Sequence, residues 1–361
     1  MVMEPKFWKN KKVLITGHTG FKGSWLSLWL QKMEAELVGY SLPPPTSPNL
    51  FSLAKVADGM VSINGDIRDL DTFSKVVREY KPEIIIHMAA QSLVKYSHFN
   101  PVETYSTNVM GTVNVLESAR HTDCVQIVLI VTSDKCYENK EWVWGYRENE
   151  PMGGYDPYSS SKGCAELVTL AYKKSYFKDG GSPFKNIGVA SVRAGNVIAG
   201  GDWAKDRLIP DLIKAFIEKQ PACIRNPNAI RPWQFVLEPI NGYLTVVEKL
   251  WKDKFKYSGA WNFGPNEDDA KPVSWVVKQL ATQWGADAKW GAVPTAYPHE
   301  ANDLKLNCSK ARSQLGWNPR LSLSSTLTWI VDWYKCYHDG KDIQEITQKQ
   351  IADYQSIAKE S

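Results

Sequence analysis

The chain has 361 residues, 43% hydrophobic and 23% charged, a composition typical of a globular protein with room for one large or two interlocked domains. A net charge of +4, scattered along the chain, argues against a nucleic-acid or anionic-membrane surface. No run approaches 18 apolar residues, the basic Lys6–Lys12 region passes directly into a short strand with no apolar h-region, and none of the six cysteines forms a Cys-x-x-Cys pair. A cytoplasmic protein with reduced thiols is therefore expected, with neither signal peptide nor membrane span.

The first strand is expected at Val13-Leu14-Ile15-Thr16, followed at once by Gly17-His18-Thr19-Gly20-Phe21-Lys22-Gly23 and then by a buried helix over Ser24–Leu30. Strand, glycine triplet and helix in that order form a dinucleotide cradle: the glycines allow a tight turn, and the helix N-terminus receives a pyrophosphate. Further strands are expected at Glu36–Tyr40, Ile84–Met88, Ile127–Val131 and Ile187–Val192, separated by helical patterns such as Asp69–Glu79 and Val102–Ser118. Near-continuous β-branched runs alternating with helices predict an α/β fold, a doubly wound parallel-sheet Rossmann domain with ligands at the carboxyl ends of its strands. The second strand ends in Gly39-Tyr40-Ser41-Leu42, without the carboxylate that would select a free ribose 2′-hydroxyl, while Lys22 sits in the glycine loop, so these residues tolerate a 2′-phosphate.

Two clusters leave that sheet edge with chemistry in them. Val131-Thr132-Ser133-Asp134-Lys135 exits a buried strand, and 25 residues after Ser133 comes Tyr158, within Asp156-Pro157-Tyr158-Ser159-Ser160-Ser161-Lys162. Tyr158 and Lys162, four apart on a helix, share a face, so the cation should lower the phenol pKa and let it move a hydroxyl proton. Ser133 can bond both the substrate hydroxyl and the Tyr158 oxygen. Taken alone, the Tyr-Lys spacing is usually a solvated helix face; its company gives it meaning.

Past Val192 the pattern loosens. Ile224-Arg225-Asn226-Pro227 and Ile230-Arg231-Pro232-Trp233-Gln234 bring two arginines suited to a diphosphate, of which Arg231 is favoured. Pro239–Trp251 is an amphipathic helix expected to return to the first domain, and Ala260–Pro265 a strand and turn. Ser309–Trp317 and Leu321–Tyr337 are closing helices, and Asp342–Ser361 a polar tail. Residues 1–192, with 235–264 partly returning, should form the cofactor domain, and 193–361 a smaller α/β substrate-binding domain. No metal is called for.

The Gly-x-x-Gly-x-x-Gly loop resembles that of the short-chain dehydrogenase/reductase superfamily. With Ser133-Asp134-Lys135-Cys136-Tyr137, Glu141–Glu148 and the Arg225–Gln234 stretch, essentially the whole chain resembles the CDP-glucose 4,6-dehydratases of its extended branch. The resemblance implies NAD rather than NADP, held by Gly17, Thr19, Gly20, Phe21, Lys22, Gly23, Asp66, Ile67, Ala89, Ala90, Gln91, Asn108, Tyr158 and Lys162. Asp66 would face the adenine amino group, and Asn108 would kink a helix and support Lys162. It implies a nucleotide-sugar substrate at Ser92, Asn196, Arg207, Arg231 and His299. The catalytic set is Ser133, Asp134, Lys135, Tyr158 and Lys162. Tyr158 takes the 4-hydroxyl proton, and Asp134 protonates the departing 6-hydroxyl. Lys135, standing where related dehydratases carry Glu, is either the C5 base, which requires a neutral amine, or a cation beside the enolate. A homodimer or homotetramer built on the helices flanking Tyr158, and a place in deoxysugar (O-antigen or lipopolysaccharide) biosynthesis, follow from the same resemblance. The alternative is a dehydratase or C4 epimerase for another nucleotide sugar; a non-catalytic dinucleotide sensor would be expected to lack Tyr158 or Lys162.

Overall fold

The computed structural model describes residues 4–178, 184–286, 288–292 and 304–357. Strands β1 (Lys12–Thr16), β2 (Glu36–Ser41), β3 (Val61–Asn64), β4 (Ile84–His87), β5 (Ile127–Val131) and β6 (Gly188–Ala194) come first. Four short strands follow, β7 (Val197–Ile198), β8 (Ala222–Ile224), β9 (Ile230–Pro232) and β10 (Gln234–Phe235), then β11 (Gly259–Phe263), β12 (Ala270–Pro272) and β13 (Trp290–Ala292). The main sheet runs β11-β6-β5-β4-β1-β2-β3, and all its neighbours are parallel. The short strands pair as β10–β7, β12–β9 and β13–β8, outside the main sheet.

Both faces of this sheet are covered, which is why its strands read as unbroken apolar runs rather than alternating ones. Ile15, Ile84, Ile86 and Leu129 pack with the helices Phe21–Lys32 and Leu237–Lys252 on one face, through Trp25, Leu28, Tyr243 and Leu244. Leu14, Ile85, Val128 and Ile130 point the other way, against Phe73 and Val77 of Leu70–Tyr80 and Val115 and Leu116 of Gly111–Arg120. The chain winds outward from β1 to β3 and then returns to β4, so the strand order reverses between β1 and β4. A crevice opens at the carboxyl ends of these strands.

Three expectations need correction. β6 continues through Arg193 to Ala194, so Arg193 belongs to the main sheet rather than opening the second half. The stretch Val102–Ser118 is not one helix: Pro101–Tyr105 passes into a wide π turn, Ser106–Met110, before Gly111–Arg120. The cause is local, since Asn108 turns its side chain to the Gln91 backbone while its carbonyl is taken by Thr112 Oγ1 at 2.7 Å. Finally, the polar tail contains a helix, Ile343–Ile357, whose buried stripe is Ile343, Thr347, Gln350, Ile351 and Tyr354. Tyr354 stands edge-on to Trp29 of the glycine-loop helix and donates to Glu238 Oε2 at 2.7 Å. Polar composition hid a narrow but correctly spaced apolar face.

Candidate active site

At the switch point the glycines make contacts that a side chain would prevent. Gly17 sits at φ 78°, and a Cβ there would lie 2.7 Å from Ala89 N; one on Gly23 would lie 2.1 Å from Gly17 O. Gly20 is the N-cap of Phe21–Lys32, with no side-chain cap and no acidic residue in the first turn. Bare backbone N–H groups at a helix N-terminus, on a floor with no room for Cβ, fit the pyrophosphate of a dinucleotide. Thr19 Oγ1 pairs with Ser41 Oγ at 2.8 Å and donates to the Leu42 carbonyl at 2.9 Å, tying the loop to the end of β2. Lys22 does not reach toward that end, as a 2′-phosphate contact would require. Its amine donates to the Tyr243 hydroxyl at 3.4 Å, where burial, and then the charges of Lys162 and Arg207, lower its pKa to about 7. His18 drops behind the loop onto Ser62 Oγ (2.7 Å), in the space that Gly39 leaves by lacking a Cβ.

The other cofactor candidates line the same edge. Asp66 is forked onto Arg68 at 2.5–3.0 Å, so its carboxylate enters any adenine contact already paired. Ile67 is buried and lends its carbonyl to Asn114. Ala89 N donates to Thr16 Oγ1 at 3.1 Å, Ala90 follows half-buried, and Gln91 turns its amide to Leu93 and Thr104. Asn108 grips the Gln91 backbone and donates to Ser161 Oγ at 2.8 Å. Its hold on the catalytic helix runs through Ser161 and not through the Lys162 amine, which instead donates to the Val131 carbonyl at 3.4 Å.

The helix Pro157–Tyr176 starts sharply because Asp156 caps it, accepting from Ser159 N (2.9 Å), and Pro157 occupies its first turn. This start buries Tyr158 and Lys162 beside the end of β5. Burial pushes the Tyr158 phenol up to about 12, contrary to the lowering expected from Lys162. Ser133 and Arg207 pull it down, and Asp134 and Asp156 push it up. Lys162 is itself lowered to about 8 by burial, with Glu166 opposing. Ser133 Oγ donates to Asp134 Oδ1 at 2.9 Å and accepts from Lys135 N. Asp134 is buried, and its pKa is raised because desolvation outweighs the cations of Lys135 and Arg231. Lys135 is exposed, next to the buried Asp134.

From the far side of the cleft, Arg207 donates to Asp202 Oδ2 (2.9 Å) and to Ser92 Oγ (3.1 Å). Arg231 lies in β9 near Asp134, with Nη1 on the Ile230 carbonyl. Asn196 links β6 to β7, its carbonyl accepting from Gln234 N. His299 lies outside the described residues. Sequence reasoning missed three groups here. Glu166 accepts from Thr132 Oγ1, Ser191 Oγ and two nitrogens of Arg193, and was legible as the third member of the line Tyr158, Lys162, Glu166. Tyr243 and Asp202 carried no motif that pointed to the cleft.

Comparison with known proteins sets this geometry in a family. The model of the GDP-mannose 4,6 dehydratase family matches residues 14–329. A CDP-glucose 4,6-dehydratase of Salmonella typhimurium is 54% identical over 98% of this chain and 99% of its own length. A dTDP-glucose 4,6-dehydratase of Haemophilus influenzae is 24% identical over 89% of this chain and 97% of its own. Among solved structures, a Bacillus anthracis dTDP-glucose 4,6-dehydratase in complex with NAD superposes with a TM-score of 0.74 at 23% identity, covering 92% of this chain and 99% of that one. A Thermotoga maritima UDP-glucose 4-epimerase with UDP-glucose gives 0.76 at 20% identity, covering 90% and 99%. With a family model over most of its length and a relative identical at more than half its positions, this chain belongs to the GDP-mannose 4,6 dehydratase family of extended short-chain dehydrogenase/reductases.

Proposed function

We propose that the protein is an NAD-dependent CDP-glucose 4,6-dehydratase that forms CDP-4-keto-6-deoxyglucose. The observation that carries this reading is the 54% identity, nearly end to end, with the Salmonella dehydratase. The cradle at Gly17–Gly23 and the end of β4 would hold NAD, which supplies a hydride acceptor at the sugar C4 and a hydride donor at C6 and so finishes unchanged.

The protein's own groups then divide the proton work. Tyr158 accepts the 4-hydroxyl proton, with Ser133 holding that hydroxyl and Arg207 favouring the phenolate. Lys162 adds positive charge one turn behind. Asp134, held toward its protonated form by burial, donates to the leaving 6-hydroxyl. Lys135, exposed and electrostatically coupled to Asp134, serves as the C5 base or as a cation beside the enolate. Arg231, Arg207, Asn196, Ser92 and His299 make up the nucleotide-sugar side. On this reading residues 1–192, joined by 235–264, serve the cofactor, and the rest of the chain serves the sugar nucleotide.

The assembly is read as a homodimer or homotetramer. Phe99 (78% exposed) and Val102 (82%) lie on the helices Val94–Phe99 and Pro101–Tyr105, and Leu167 (56%) and Leu170 (44%) on the helix of Tyr158, exposed apolar side chains suited to burial against a second copy. Leu167→Glu should halve the mass seen by light scattering; an unchanged mass would remove Leu167 from the interface. A cytoplasmic location and a role in deoxysugar (O-antigen or lipopolysaccharide) biosynthesis belong to the same reading.

Incubation of CDP-glucose, dTDP-glucose, UDP-glucose and GDP-mannose in deuterated water, followed by mass spectrometry, tests the function. Loss of water with one deuterium gained, from CDP-glucose alone, is the expected result. Isomerisation without loss of water would replace this reading with a C4 epimerase.

A further inference from the structure

The loop between β7 and the helix Leu208–Ile217 is held from several sides. Trp25 Nε1 donates to the Gly200 carbonyl at 3.1 Å, and the Tyr334 hydroxyl to the Asp202 carbonyl at 2.5 Å. A Cβ on Gly200 would lie 2.1 Å from the Trp333 ring; Gly201, at φ 85°, has Leu50 only 2.9 Å from its Cβ position. These contacts come from the glycine-loop helix, the helix Leu323–His338 and the short helix Leu50–Leu53. What they fix is Asp202, 5% exposed. Its Oδ1 accepts from Ala204 N at 3.1 Å, turning the chain, and its Oδ2 from Arg207 Nη1 at 2.9 Å. The guanidinium then crosses the cleft, with Nη2 on Ser92 Oγ at 3.1 Å, and the neighbouring Asp206 repeats the crossing to Lys95 Nζ at 3.0 Å.

We propose that Asp202 is a positioning residue for the reaction, fixing the Arg207 guanidinium across the cleft on Ser92 so that its charge acts on the Tyr158 hydroxyl. The proposal rests on the reading of Tyr158 as proton acceptor and Arg207 as a site residue. An unanchored arginine loses its place to side-chain entropy and water, whereas a buried carboxylate on one nitrogen leaves the rest of the planar fork aimed. The groups facing Tyr158 make that aim matter. Ser133 and Asp134 approach from the end of β5, Asp156 from its own helix, Tyr243 from Leu237–Lys252, and Arg207 from the loop. Among them Ser133 and Arg207 favour the phenolate, and Asp134 and Asp156 oppose it.

Asp202→Asn is the informative variant, because its amide oxygen can keep the turn to Ala204 while its NH2 group opposes a guanidinium. Loss of one charged hydrogen bond should lower kcat/KM about 10- to 100-fold, and the acid limb of the pH–rate profile should move to higher pH. Asp202→Glu, which keeps the charge, should recover part of both. In the Arg207→Ala background Asp202→Asn should cost about twofold at most, because the two act as one unit. Additive losses, or an unmoved acid limb with equal recovery by Asn and Glu, would show a loop-building role alone and overturn the proposal. Full activity of Arg207→Ala would instead overturn the placement of Arg207 in the site, and with it the premise.

Discussion

Two regions on one helix, separated by a single turn, treat buried charge in opposite ways. Glu166 is answered by a threonine, a serine and the fork of Arg193, which in turn donates to the Tyr137 hydroxyl at 2.6 Å. Its carboxylate stays below the ordinary pKa despite burial, because these donors outweigh desolvation. Lys162 has one carbonyl at 3.4 Å, and Tyr158 sits buried with carboxylates among its neighbours; both are displaced against their charged forms, the lysine to about 8 and the phenol to about 12. The compensated pair joins β5, β6 and the helix. The uncompensated pair is held toward its neutral forms, so its protonation is open to whatever charge the cleft brings beside it. The same burial thus builds structure where partners are supplied and chemistry where they are withheld.

The contrast can be broken at either end. Tyr158→Phe removes the proton acceptor and should cut turnover on the order of 10³-fold or more while NAD still binds, as titration calorimetry would show. Appreciable residual turnover would remove Tyr158 from that role. Glu166→Gln leaves Arg193 buried without its counter-charge and should cost about 3–5 kcal/mol in urea unfolding. A loss below about 1 kcal/mol, of the size of an exposed pair, would mean that the buried network is not what holds these strands. Asp134→Asn should allow oxidation at C4 but slow elimination roughly 10²-fold, so that reduced cofactor accumulates in near-ultraviolet absorbance. An unchanged product rate would take Asp134 out of the mechanism.

The smallest effect lies far from the cleft. Glu248 accepts from Trp8 Nε1 at 2.8 Å, and burial raises its pKa from 4.5 to about 7. The folded protein therefore binds a proton there that the unfolded chain has released, and its stabilising contribution is full below pH 4.5 and lost as the pH rises through about 7. Relative to Glu248→Gln, wild-type stability should fall by about 1–3 kcal/mol over that window, as read by unfolding at several pH values. Parallel curves for the two proteins would show that Glu248 is ionised throughout.

Periodicity, glycine spacing and the four-residue spacing of Tyr158 and Lys162 were enough to place most of the parallel sheet, its glycine loop and the helix carrying that pair, while the edge strand Val61–Asn64, largely exposed, was given no range. An apolar strand buried on both faces, a loop with no room for Cβ, and a Pro–Asp helix start are local demands, each written in a few consecutive residues. The helix Ile343–Ile357 escaped because its buried stripe has meaning only against Trp29 and Glu238, which lie far away in sequence. Lys22 was legible as a loop cation, but its direction was not, since the Tyr243 hydroxyl that receives it comes from a helix more than 200 residues later. The pKa of Tyr158 likewise followed burial and the sum of its neighbours rather than its spacing from Lys162. The sequence by itself determined which chemical groups gather at the carboxyl edge of the sheet, because strand and helix periods are local. Only the tertiary structure decided which of those groups are charged, paired or aimed, because solvation and partners are set by chain segments that meet only on folding.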